Sequence, residues 1–380
     1  MGKRWLISSV MAAVSAVVAL TVPVAGQAQA PAAKGPAAKA AVKSPAPSNA
    51  KTGWTAPKTP WGHPDISGTW TSDGAIGIPR ERPDTFAGRT ELTDEEYNAK
   101  VTRDEATRKR AENAVGSFRN DNAWLVKSSR QTSLIVDGDG KMPPLTPQAE
   151  TRRAPRDRGT FGAGPFESQS DFTLYDRCIT RGIVGSVLPV VYGNGNRILQ
   201  TPTEVVISYE MVHDTRVIPV DGRPHIGQKI RQYLGDSRGH WEGNTLVVET
   251  TNLTDQTSIG ANGNGLRHSA DMMITERFTR TGPEDLKYEI RVDDPRTYTR
   301  PFTFQLPLIS PPGFQLLPYD CHEGNYMLAN VLSAERVEDK ALEEDAKKGI
   351  FRARKPVNQG RGGGAGTAAG EGAPPAPPPQ

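Results

Sequence analysis

The sequence predicts a mainly β domain: an antiparallel barrel-like or sandwich fold with a few peripheral helices. Between Arg197 and Phe304, short β-branched and aromatic runs recur between Gly, Asn, Asp and Pro. Leu286, Tyr288, Ile290 and Val292 alternate with Lys287, Glu289, Arg291 and Asp293, the period of a strand with one wet face. Strands joined by such short turns make a meander, which hides its edges by curling or by folding onto itself. No repeat of fixed period is present.

Residues 1–30 have the parts of a secretory signal: Lys3 and Arg4, an apolar stretch from Trp5 to Val24, and the small-residue ending Ala28-Gln29-Ala30. A membrane anchor is the alternative, since the apolar stretch is near spanning length. Cleavage leaves a periplasmic or secreted chain with no membrane span. Residues 31–58 are Ala, Pro and Lys, and residues 356–380 are Gly, Ala and Pro; neither composition repays the entropy of ordering, so both are expected to be disordered. A single β-rich domain is left over residues 59–355.

Thr93-Asp94-Glu95-Glu96 reads as a capping box, with Leu92 and Tyr97 placed as a hydrophobic staple, and opens a helix running to about Val115. Its charged surface is a solvated face. Residues 138–166, rich in Pro, Arg and Gly, read as a long surface loop. Val205, Ile207 and Tyr209 mark a strand, and residues 246–251 another. Met272, Ile274, Glu276 and Phe278 share one face of a third, so Glu276 points where apolar residues point. It is paired with an arginine or is a working acid. Met327, Val331, Ala334, Val337 and Ala341 recur at helical spacing before Gly349 and predict a closing helix.

With 46 Lys and Arg against 43 Asp and Glu, the net charge of +3 does not mark a nucleic-acid partner. The two cysteines, Cys178 and Cys321, are expected to close a disulfide in an oxidising compartment; a catalytic thiol or a metal site are the alternatives.

Ionisable groups and turn formers are densest over residues 210–243. Here His213, His225 and His240 are candidate proton carriers, Glu210 and Glu242 candidate carboxylates to orient them, and Arg216, Arg223 and Trp241 candidate substrate contacts. Surface ion pairs would produce the same pattern. His322 and Glu323, beside Cys321, and Glu276 are secondary candidates; Asn325 reads as a helix cap. Asp293-Asp294-Pro295 reads as a turn. A divalent metal stays open, although no His-x-His or His-Glu-x-x-His is present. Gly193-Asn194-Gly195-Asn196 lacks the Walker lysine and the dinucleotide spacing, so it reads as a hairpin turn, and no nucleotide cofactor is expected. Gly-x-Ser-x-Gly is absent.

Gly68-Thr69-Trp70 resembles the Gly-x-Trp opening of lipocalin-type barrels, in which the tryptophan plugs one end. Residues 210–216 and 235–243, with Asp293-Asp294-Pro295 and residues 321–326, are similar to strings of an uncharacterised family of exported bacterial β-rich proteins. That second resemblance implies one common core and no activity. The residues themselves point to an exported general acid–base enzyme, a hydrolase or lyase, acting on a small or oligomeric organic substrate. The alternative is a lipocalin-like barrel that binds a ligand without catalysis.

Overall fold

The structure is a computed structural model of the 380-residue chain and describes residues 54–86, 88–112, 129–156 and 165–354. The expected signal peptide and C-terminal tail, and most of the expected linker, lie outside the described residues. The strands are β1 Gly68–Thr71, β2 Gly195–Gln200, β3 Glu204–Tyr209, β4 Thr215–Pro219, β5 Asp236–Glu242, β6 Thr245–Thr251, β7 Met273–Arg280, β8 Asp285–Asp293 and β9 Phe302–Ile309. They form one antiparallel sheet in the order β4-β3-β2-β1-β9-β8-β7-β6-β5. Two meanders, β2 to β4 and β5 to β9, are joined through β1.

Register puts one set of side chains on a common face. Trp70 stands opposite Asn196, Ile207 opposite Arg216, Gly239 opposite Val248, Glu276 opposite Ile290, and Tyr288 opposite Leu306. Each partner is buried, because the sheet curls until its first and last strands face one another across the inside. No ladder joins β4 to β5, so the sheet is strongly curled but not closed. Gly239 allows the approach: a Cβ there would lie 2.9 Å from Val220 Cγ1 and 3.2 Å from Ile218 Cγ2. The inside is filled by Trp70, Leu246, Phe278, Tyr288, Phe302 and Phe304. Each such side chain removed from water contributes roughly 1.5–3 kcal/mol. Trp70 donates to Ile66 O at 3.0 Å, and the Arg280 guanidinium lies 5.4 Å from its ring.

The inside also holds an ion pair. Arg216 Nη1 and Nη2 donate to Glu276 Oε1 and Oε2 at 2.9 and 2.5 Å. Arg216 also donates to the Tyr209 hydroxyl at 3.1 Å and Ser237 Oγ at 2.9 Å, and Tyr288 donates to Glu276 Oε1 at 2.6 Å. Burial pushes the Tyr209 phenol up to about 12, so it stays protonated. The expectation that Arg216 touches substrate is corrected: it is 3% exposed and committed to Glu276, the partner left open for that carboxylate. The pair links β4 to β7 across the curl, where the backbone supplies no bond between β4 and β5.

Among the described residues, four α-helices lie outside the sheet. Helix α1, Asp94–Glu112, opens on the expected capping box: Thr93 N–H donates to Glu96 Oε2 at 2.9 Å, and Glu96 N–H to Thr93 Oγ1 at 3.3 Å. Its expected last turn falls outside the described residues. Helix α2, Pro147–Arg156, occupies what reads as loop in the sequence; Pro147 starts it, where a missing N–H costs nothing. Helix α3 is short, Gly182–Val187, and wholly buried. Helix α4, Met327–Lys347, is the expected closing helix, but Leu332 is its buried contact, against Phe166 and Phe172, while Val337 is 65% exposed. No helix among the described residues is long and apolar enough to cross a membrane.

Candidate functional site

Cys178 and Cys321 form the expected disulfide, closing 143 residues with their Cα atoms 5.7 Å apart. Tyr175 lies three residues before one cysteine and Tyr319 two before the other, so the bridge brings two phenols together. Their hydroxyls are 3.1 Å apart. The Tyr192 ring lies 6.5 Å from that of Tyr319, and its hydroxyl interacts with both. Burial raises the Tyr175 phenol well above its ordinary range and raises Tyr192 as well, so both stay protonated at neutral pH.

Beneath these rings sits Arg181, which caps the start of α3 with its backbone. It is 1% exposed, and its guanidinium carbon lies 6.0 Å from the Tyr175 ring. None of its Nε, Nη1 and Nη2 atoms has a hydrogen-bond partner. Burial pulls the guanidinium down to about 10, against the opposing influence of the phenols and Glu210. A buried cation without a partner costs several kcal/mol, and such a cost marks a group kept for something other than stability. Arg181 also borders a cavity of about 20 Å3 shared with Thr180, Thr257, Ser258 and Arg267, room for one water. Behind it, Thr257 Oγ1 donates to His268 Nε2 at 2.5 Å, because His268 Nδ1 donates to Ser269 O at 2.9 Å.

Glu210 fastens the site. Its Oε2 accepts from Gly195 N–H and its Oε1 from Leu317 N–H, both at 2.9 Å, pinning the β9–α4 loop to the start of β2. Gly195 is held to glycine: a Cβ there would meet Leu316 Cδ2 at 2.2 Å and Glu210 Oε2 at 2.6 Å. The segment read as a hairpin turn instead joins α3 to β2. Its Asn194 donates to Asp73 Oδ1 at 2.6 Å.

Asp73 is 2% exposed, and burial pushes its carboxyl up to about 6 despite hydrogen bonds from Thr71 and Asn194. An acid whose folded pKa is raised binds its proton more tightly in the native state. Its contribution therefore falls as pH rises from about 4 to about 6, then stays level. Asp73→Asn removes this term. The stability of the variant relative to the parent chain should rise by about 2–3 kcal/mol between pH 4 and pH 7, read from urea unfolding at both. A pH-independent difference would contradict it.

A cleft of about 340 Å3 lies over the disulfide, lined by Cys178, Val212, His213, Cys321, His322 and Glu323. Cys178, Val212 and His213 have left-handed backbones with φ of 55°, 65° and 58°. For β-branched Val212 this costs roughly 1–2 kcal/mol, a strain that fixes His213 at the cleft. Asp214 follows, hydrogen-bonded to the Thr180 side chain, with burial raising its carboxyl.

The structure thus brings Glu210, His213, His322 and Glu323 to one region, and leaves the other expected residues elsewhere. His225 Nδ1 lies 2.7 Å from Asp236 Oδ2, whose other oxygen accepts from Arg238 at 2.7 Å. Arg223 pairs with its own loop neighbour Asp221. On β5, Ser237, Gly239 and Trp241 turn inward, so His240 and Glu242 face out. His240 Nε2 is 3.2 Å from Glu242 Oε1, and Glu242 also accepts from Arg277 at 2.9 Å, which holds its carboxyl below the usual range. Trp241 stacks on His63 with ring centroids 5.2 Å apart. Asn325 does not cap α4; Tyr326 holds that position, and Asn325 Nδ2 donates to Asp176 O at 3.1 Å. Among the described residues, no group of three or more His, Cys, Asp or Glu is placed to hold a metal ion.

Tyr175, Arg181, Tyr192, Tyr319, Thr257 and His268 escape the sequence reading. Only the two tyrosines next to cysteines carried a signal, since the predicted disulfide was also a prediction that they meet. No protein family, no curated protein and no solved structure matches the chain.

Proposed function

We propose that the chain is an exported general acid–base enzyme, a hydrolase or lyase, that works on an organic substrate at the Arg181 site in the periplasm or outside the cell. The observation that carries this reading is the buried guanidinium with three unpartnered nitrogens beneath three phenols. In such a dry place Arg181 stabilises negative charge that develops on a reacting oxygen far better than a solvated cation does. Tyr175 and Tyr319 carry hydroxyls hydrogen-bonded to each other, and Tyr192, 37% exposed, is the phenol that meets substrate and gives up the proton. His213, His322 and Glu323, which line the cleft over the disulfide, are the candidate bases. Glu210 keeps the covering loop in register.

The test is a turnover screen on esters, glycosides and polyuronates, run on the wild-type chain and on Tyr192→Phe. The proposal expects a hydrolytic or eliminative activity that falls at least about 100-fold in the variant. An activity untouched by Tyr192→Phe would sink this assignment, and ligand binding without turnover would make the protein a binder.

A further inference from the structure

We infer that the group the Arg181 site takes is a single carboxylate carried on a flat, aromatic or similarly apolar body. This deepens the proposed function and rests on it. Three unpaired nitrogens present a planar fork, and a carboxylate answers such a fork with two oxygens in the same plane. The charge around it argues for one negative charge and against two. Two carboxylates are anchored side by side nearby, Glu210 on Gly195 N–H and Asp73 on Asn194 Nδ2. A phosphate or sulfate dianion would meet these carboxylates with Arg181 as the one buried guanidinium in its favour, since Arg267, the other arginine along the cavity, is only half-buried. A monocarboxylate neutralises Arg181 and stops there.

The walls speak for the rest of the molecule. The Tyr175 ring faces the guanidinium, Tyr192 and Tyr319 stand 6.5 Å apart, and the Met211 sulfur lies 4.0 Å from the Tyr175 hydroxyl. Flat rings of this kind stack on flat ligands. The cavity beside Arg181 holds about one water, so a ligand needs a wider way in, and we place it under the β9–α4 loop, which carries Tyr319. That loop has no regular structure between Ile309 and Met327 and is tied down by the disulfide, by the Leu317 to Glu210 bond and by the Tyr319 hydroxyl. Releasing the last two ties would free the loop to move while the disulfide keeps it attached.

Binding of benzoate, benzamide, acetate, sulfate and phosphate to the full exported chain, measured by calorimetry, tests the inference. Benzoate should bind saturably, its neutral amide should not, and acetate should bind at least about tenfold more weakly than benzoate. Arg181→Gln should weaken benzoate at least about tenfold, with Arg181→Lys, which keeps the charge but loses the fork, in between. Sulfate or phosphate binding through Arg181 more tightly than benzoate overturns the carboxylate assignment and leaves the Arg181 site standing. No anion bound by the wild-type chain, or binding indifferent to both variants, overturns the site itself.

Discussion

Glu276→Ala should destabilise the protein by about 3–5 kcal/mol, the cost of leaving Arg216 charged and unpaired inside the sheet. Arg216 loses both carboxylate bonds and keeps only hydroxyls, those of Tyr209, Ser237 and Thr250. Tyr288 loses the acceptor of its 2.6 Å bond. The pair spans the curl from β4 to β7 at the place where β4 and β5 approach without sharing a ladder, so its loss also loosens that seam. Arg216→Met should cost a similar amount by stranding Glu276. The double variant Arg216→Met/Glu276→Leu leaves no charge behind and should recover to within about 2 kcal/mol of the parent. Urea unfolding of all four chains reads these differences. If Glu276→Ala costs under about 1 kcal/mol, the pair is not the clasp described here.

Several strands were legible because they have one wet and one dry face, while β6, with Leu246, Val247 and Val248 all buried, was legible from its β-branched run. Leu286 to Asp293 shows the alternation best. Helix α2 was not, since Pro147 and a run of arginines resemble a loop until proline is placed in the first turn. The inward direction of Glu276 was legible for the same reason as the strands, but its partner was not. Arg216 reaches it only because the sheet curls, and curl is a property of nine strands together. The density of ionisable groups at β5 has a local cause: Asp236, Arg238, His240 and Glu242 are near one another because they alternate along one strand face. Arg181 gave no signal. A lone arginine between a threonine and a glycine is ordinary in sequence; what sets it apart is the absence of partners, which only packing shows.

Arg181→Met should make the ligand-free protein more stable, by about 2–4 kcal/mol, although it removes a buried side chain. Methionine is similar in length and flexible enough to fill the space. It carries no charge to desolvate, and no hydrogen bond is lost because none is made. The contact with the Tyr175 ring and the attraction of Glu210 are the favourable interactions given up, and a cation at 6.0 Å from a ring is worth about 0.5–2 kcal/mol. A gain of stability on removing Arg181 would be the mark of a group kept for function rather than for the fold. The most direct measurement is therefore the unfolding free energy of the wild-type and Arg181→Met chains, each without ligand and with saturating benzoate. The variant should be the more stable of the two without ligand, and benzoate should raise the wild type alone, narrowing or reversing the gap. A variant less stable than wild type without ligand, with benzoate moving neither chain, would contradict it.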